Sequence, residues 1–125
     1  MNKYLTILFL VTGLALAPVA MPAPGPVAAA EIAYLLEFVG SSGCAFRRNG
    51  TWHSSVKAQA HLGDKYEYLR KHGKITSAED FIELAATRSS MTGHSYEVRC
   101  AGAASQPSSL WLSAALARYR GLHRP

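Results

Sequence analysis

Acidic residues are missing from the first thirty positions, and Lys3 is the only charge among them. A segment so poor in charge is no ordinary solvated surface. Within it, Leu5 to Ala17 ("LTILFLVTGLALA") is apolar throughout. The run is too short for a membrane span, which needs roughly 20 residues. Pro18, Pro22, Pro24 and Pro26 break any helix that would extend it. No second apolar run follows, so the rest of the chain is expected to be soluble and not membrane-spanning. No cysteine follows the run closely, which argues against a lipid anchor. Cysteine itself is scarce: Cys44 and Cys100 are the only two. That excludes a C-x-x-C redox pair and a zinc knuckle, which need closer spacing or more ligands. No metal site and no cofactor is expected. Complete catalytic motif sets are lacking as well. Ser54-Ser55-Val56-Lys57 contains S-x-x-K, but K-T-G and S-D-N are absent, and no G-x-S-x-G elbow occurs.

What is present follows an export pattern. A basic start, an apolar run and the small-residue triplet Ala28-Ala29-Ala30 come in the order of a secretory signal peptide. Residues 1–30 are expected to be that peptide, cut near Ala30, with the mature protein periplasmic. Lys and Arg number 13 against 8 Asp and Glu, a formal charge of +5 that loses one unit with Lys3. The excess favours anionic partners. For an exported protein these are an envelope component or another protein, and no nucleic acid is expected. Two cysteines in a small exported domain most often pair. A Cys44–Cys100 bridge would contribute about 4 kcal/mol through the loop it closes.

Periodicity gives the elements. Ile32, Leu35, Leu36 and Val39 recur at helical spacing, which predicts a helix over 31–39 with Gly40 as its stop. In "CAFRRNGTWH", Asn49-Gly50 predicts a type I′ hairpin turn, because both positions want positive φ. Cys44 and Phe46 then share one face, Ala45 and Arg47 the other. Asn49-Gly50-Thr51 also fits the N-glycosylation pattern. A second helix is expected from Ser55 to His72, capped by Ser54 or Ser55 and ended by Gly73, with Leu62, Tyr66 and Leu69 inward and Ala58 and Gln59 beside them. Thr76-Ser77-Ala78-Glu79 has the form of a capping box. The third helix that it opens turns Phe81, Leu84 and Ala85 to the core, with Ile82 and Ala86 as its shoulder, and fades near Arg88. Thr92-Gly93 is a turn. Tyr96, Val98 and Cys100 then alternate with Glu97 and Arg99 as a half-buried strand. Laid antiparallel to 44–48, with Cys100 beside Cys44, that strand brings Val98 to Phe46. Residues 101–107 are a connection. Ser108 or Ser109 caps a last helix with Leu112, Ala115, Leu116 and Tyr119 inward. The expected fold is one small α+β domain over 31–125: about four helices on a short two- or three-stranded antiparallel sheet, with one disulfide.

Candidate chemistry is sparse. His61, Lys65, Tyr68 and His72 form a polar stripe on the second helix, where Lys65 would depress a neighbouring histidine's pKa. A solvated helix face accounts for the same residues. His61 and Asp64 offer two metal ligands, too few for a site. Ser89, Ser90, His94 and Glu97 carry the letters of a hydrolase triad without its geometry. A serine-rich turn explains them with less. The expected ligand site lies where the 89–95 loop meets the Arg48-Asn49-Gly50 hairpin. Arg48 offers a charged fork, Asn49, Ser89, Ser90 and Thr92 supply polar groups, and His61 and Lys65 reach the edge. No residue is assigned a catalytic role.

With these residues in view, the chain resembles the YfeK-like family, small exported Gram-negative proteins with a domain of unknown function. The resemblance covers about residues 31–120. It rests on "LLEFVGSSGCAFRRNGTWH", "AHLGDKYEYL", "SAEDFIELAATRSSMTGHSYEVRC" and "WLSAALARYR". His94-Ser95 departs from the family, which has a proline ahead of the tyrosine. The resemblance implies export and no established activity. The leading expectation is a non-enzymatic binding or accessory protein of the cell envelope. A small hydrolase or envelope-modifying enzyme using the 89–94 loop with His61 and Lys65 is the alternative. A purely structural domain is a third.

Overall fold

The computed structural model describes Tyr4 and residues 6–123. Residues 6–25 form no helix or strand, and Leu8, Phe9 and Val11 in the apolar run are exposed. The first element, α1, spans Pro26–Ser41. It starts five residues before the expected point and passes through Ala28-Ala29-Ala30. Proline at the first helical position loses no hydrogen bond and presets φ, so Pro26 opens a helix as readily as it ends one. At the other end, Gly40 is helical. The true stop is Gly43, whose φ of 68° takes the left-handed conformation that follows a helix C-cap.

The hairpin forms as predicted. β1 (Ala45–Arg48) and β2 (Thr51–His53) are antiparallel, with Asn49 at φ 50° and Gly50 at φ 79°. β3 (Glu97–Arg99) pairs antiparallel with β1 and sets Phe46 opposite Val98. The residues just beyond this ladder, Cys44 and Cys100, are joined as a disulfide with Cα atoms 4.3 Å apart. A fourth strand, β4 (Gln106–Pro107), lies in the stretch expected to be a connection. It pairs Gln106 with Val98, giving the strand order β2-β1-β3-β4. Its proline is tolerable because β4 is an edge.

α2 covers Ser55–Lys71, with the Ser54 hydroxyl accepting from the Lys57 N–H at 3.3 Å. Gly73 at φ 67° ends it. α3 covers Ala78–Ala85 and α4 Ser108–His123. The start of α3 corrects the expected box by one residue. Ser77 accepts from the Asp80 N–H, and the Asp80 carboxylate accepts from Thr76 N and Oγ1, each at 3.0 Å. Glu79 is thereby free to face Arg120 on α4.

The inward face of α3 is corrected at Leu84 alone; Phe81, Ala85 and the shoulder residues Ile82 and Ala86 are buried as expected. Ala78, Phe81, Ile82 and Ala85 are buried, and Leu84 is 42 % exposed. Their spacing matches a single helical stripe better than the predicted set. On α2 the buried face centres on Ala58 and Leu62, while Tyr66 and Leu69 are only partly covered. The deepest core joins Ile32, Leu35 and Val39 of α1 to Ile75, Phe81, Val98 and Leu112. α1 packs against α2, α3 and α4, which makes it the central helix. Arg120 pins the arrangement: it donates to the buried Glu31 carboxylate of α1 and pairs with Glu79 of α3. No helix among the described residues is long and apolar enough to cross a membrane.

Candidate ligand cavity

The turn after α3 is tightly closed. Ser89 N–H donates to the His94 carbonyl, Gly93 N–H to the Ser89 carbonyl, and Tyr96 N–H to the Thr87 carbonyl, all at 2.9 Å. Ser89 is buried, and its hydroxyl accepts from the N–H groups of Met91 and Thr92. It is a turn cap rather than a binding group. The expected meeting of this turn with the hairpin does occur. Thr92 Oγ1 lies 2.6 Å from Asn49 Oδ1, and a shallow depression beside that contact is lined by Arg47, Gly50, His94 and Glu97.

Arg48 does not face that junction. Alternation along β1 turns it with Phe46 toward α2, where Nη1 reaches His61 Nδ1 at 3.0 Å. His61 Nε2 lies 3.3 Å from Tyr96 Oη, and Lys65 Nζ donates to the same oxygen at 3.3 Å and to the Arg88 carbonyl at 2.9 Å. Spacing of four residues puts His61 and Lys65 on one side of α2, and the β1–β3 pairing brings Tyr96 to them. The predicted residues thus separate. Arg48, His61 and Lys65 converge; Asn49 and Thr92 meet each other elsewhere; Ser89 is consumed by its turn; exposed Ser90 joins neither group.

Arginine can only donate, so the imidazole nitrogen that Arg48 meets must carry a lone pair. Nη1 also lies 3.3 Å from Nε2, and either contact favours the neutral imidazole. Burial pushes its pKa below the ordinary value, and the charges of Arg48 and Lys65 add to the effect. Burial likewise lowers Lys65, reinforced by Arg88 and Arg48. It raises the Tyr96 hydroxyl. The depression of the histidine by Lys65 matches the sequence expectation.

Beside this cluster opens a cavity of about 310 Å³. Phe46, Ala58, Leu62, Ala86 and Leu112 give it apolar walls. Arg48, His53, Lys57 and His61 contribute nitrogen at its edge. Among the described residues none of Arg48, Lys57 or Lys65 has a carboxylate within ion-pair distance, whereas Arg47 is neutralised by Glu97 at 3.3 Å. One wall holds Ser108, 4 % exposed, whose Oγ has no hydrogen-bond partner. The expectation that Ser108 caps α4 through its hydroxyl is not met.

Sequence reasoning missed Tyr96 Oη, Lys57, His53 and Ser108. Tyr96 had a signal: an inward-facing tyrosine on a strand needs a partner for its hydroxyl. Lys57 and Ser108 had none, since both read as ordinary residues of a helix start. Among the described residues no three His, Cys, Asp or Glu side chains converge as a metal site.

A family model described as a family of unknown function (DUF5329) matches residues 26–120. Its first residue is also the first residue of α1. No curated protein and no solved structure matches the chain.

Proposed function

We propose, from the premise that the chain belongs to the DUF5329 family of unknown function, that it is a non-enzymatic binding protein of the cell envelope. The YfeK-like identity and the periplasmic location belong to the same proposal. The observation that carries it is the cavity between α2 and the hairpin, apolar inside and lined by Arg48 and Lys57, which have no carboxylate partner, and by Arg47, which pairs with Glu97. Concave, mostly apolar sites with a few convergent polar groups are the usual form of small-molecule sites. Its position differs from the loop junction expected from sequence, but Arg48 and His61 are common to both, with Lys65 beside them.

Export is supported by the uncharged apolar run ahead of the folded part and by the disulfide, which persists in oxidising compartments. The hydrolase alternative gains little from the geometry. The ring nitrogens of His61 meet Arg48 and Tyr96, and the Ser89 hydroxyl serves its own turn. A nucleophile–base pair within hydrogen-bond reach is what that alternative requires.

The test has two parts. Cell fractionation of a Gram-negative host expressing the full gene should place the protein in the osmotic-shock fraction, shortened at its N-terminus. Amide NMR of that protein should show saturable shifts at Phe46, Ala58 and Tyr96 with a small-molecule library. A cytoplasmic protein with an intact Met1 would overturn the location. A library that moves no cavity resonance would overturn the binding role.

A further inference from the structure

We infer that the cavity takes a short amphiphilic carboxylate. This rests on the binding role proposed above and names the ligand class. Size comes first. About 310 Å³ holds roughly ten non-hydrogen atoms if each needs the ~30 Å³ of a liquid water. The site opens to solvent, so this describes its enclosed part alone, about the size of an eight-carbon acid.

Polarity gives the orientation. The walls made by Phe46, Leu62 and Leu112 suit an alkyl chain. Arg48 and Lys57 stand at the edge without carboxylate partners, so an anionic head completes their charge. Arginine's planar fork fits a carboxylate with two parallel bonds. The Arg48 guanidinium is already positioned by its contact with His61 at 3.0 Å.

The experiment is an NMR titration of the disulfide-bonded protein, made from the full gene, with octanoate, octanol and inorganic phosphate. Octanoate should saturate the shifts of Phe46, Ala58 and Leu62, with octanol and phosphate each at least tenfold weaker. Arg48→Met should weaken octanoate about tenfold and leave octanol unchanged. If octanol matches octanoate, or Arg48→Met binds octanoate as tightly as the native protein does, the carboxylate assignment falls and the binding role stands. If none of the probes moves a cavity resonance, the binding role falls with it.

Discussion

Arg48 Nη1 lies 3.0 Å from His61 Nδ1, so a permanent cation donates to an imidazole that must stay neutral. The contact joins the last residue of β1 to the second turn of α2. Protonating His61 would set two cations against each other at the edge of an apolar cavity.

A pH dependence follows. Unfolded, His61 titrates near its ordinary value of 6.5; folded, it titrates lower. Between the two values the unfolded chain binds more protons, so stability rises with pH there. It is complete above 6.5 and is lost as pH falls from 6.5 through the folded value. Melting temperature should therefore drop between about pH 7 and pH 5, and His61→Gln should flatten that slope. NMR titration should place the His61 midpoint below 6.5 and show it rising in Arg48→Met. An unchanged midpoint in that variant would refute the role of the arginine.

The disulfide closes the sheet at one end. Replacing Cys44 and Cys100 together by alanine should lower unfolding free energy by about 4 kcal/mol in urea melts. Reduction of the native protein should reproduce the shift. A loss under about 1 kcal/mol would mean that the β1–β3 pairing holds without the bridge.

Arg120 should matter more than an ordinary surface arginine. Glu31 is 6 % exposed, and removing its partner leaves a buried carboxylate uncompensated. Arg120→Met should cost about 3 kcal/mol, the low end for a broken buried pair because the arginine itself is part-exposed. Glu79→Gln breaks only the exposed half of the clamp and should cost under about 1 kcal/mol. Equal losses in the two variants would show that burial of Glu31 does not set the scale.

The two candidate faces of α3 are separable by calorimetry. Phe81→Ala should cost about 3–5 kcal/mol, since its side chain is fully buried. Leu84→Ala should cost under about 1 kcal/mol, because it projects to solvent and loses little burial. A large loss at Leu84 would restore the face expected from periodicity.

Local chemistry was the most legible part. Asn49-Gly50 can hardly do other than turn, and alternation around Phe46 and Val98 fixed which strand faces meet. The helix ends were less so. Pro26 and Gly40 carry opposite meanings according to where the helix already runs, and nothing in a short window says which applies. β4 was hidden for a related reason: two residues have no period, and only the neighbouring β3 makes Gln106 and Pro107 a strand. In the site, Arg48, His61 and Lys65 were named from their chemistry, but Arg48 was expected to face the 89–95 loop. The alternation that puts Phe46 inward also turns Arg48 toward α2, and that step could have been taken from the sequence.

The sequence by itself determined the short-range features: the hairpin, the stop at Gly73 and the pair of strands that the cysteines bracket. Each depends on a residue's own conformational preference or on spacing of two to four positions. Only the tertiary structure decided the cavity and the Glu31–Arg120–Glu79 clamp. Both depend on the side chains that α1, α2, α3, α4 and the sheet turn to one another, and that arrangement is a property of the whole packed core rather than of any segment.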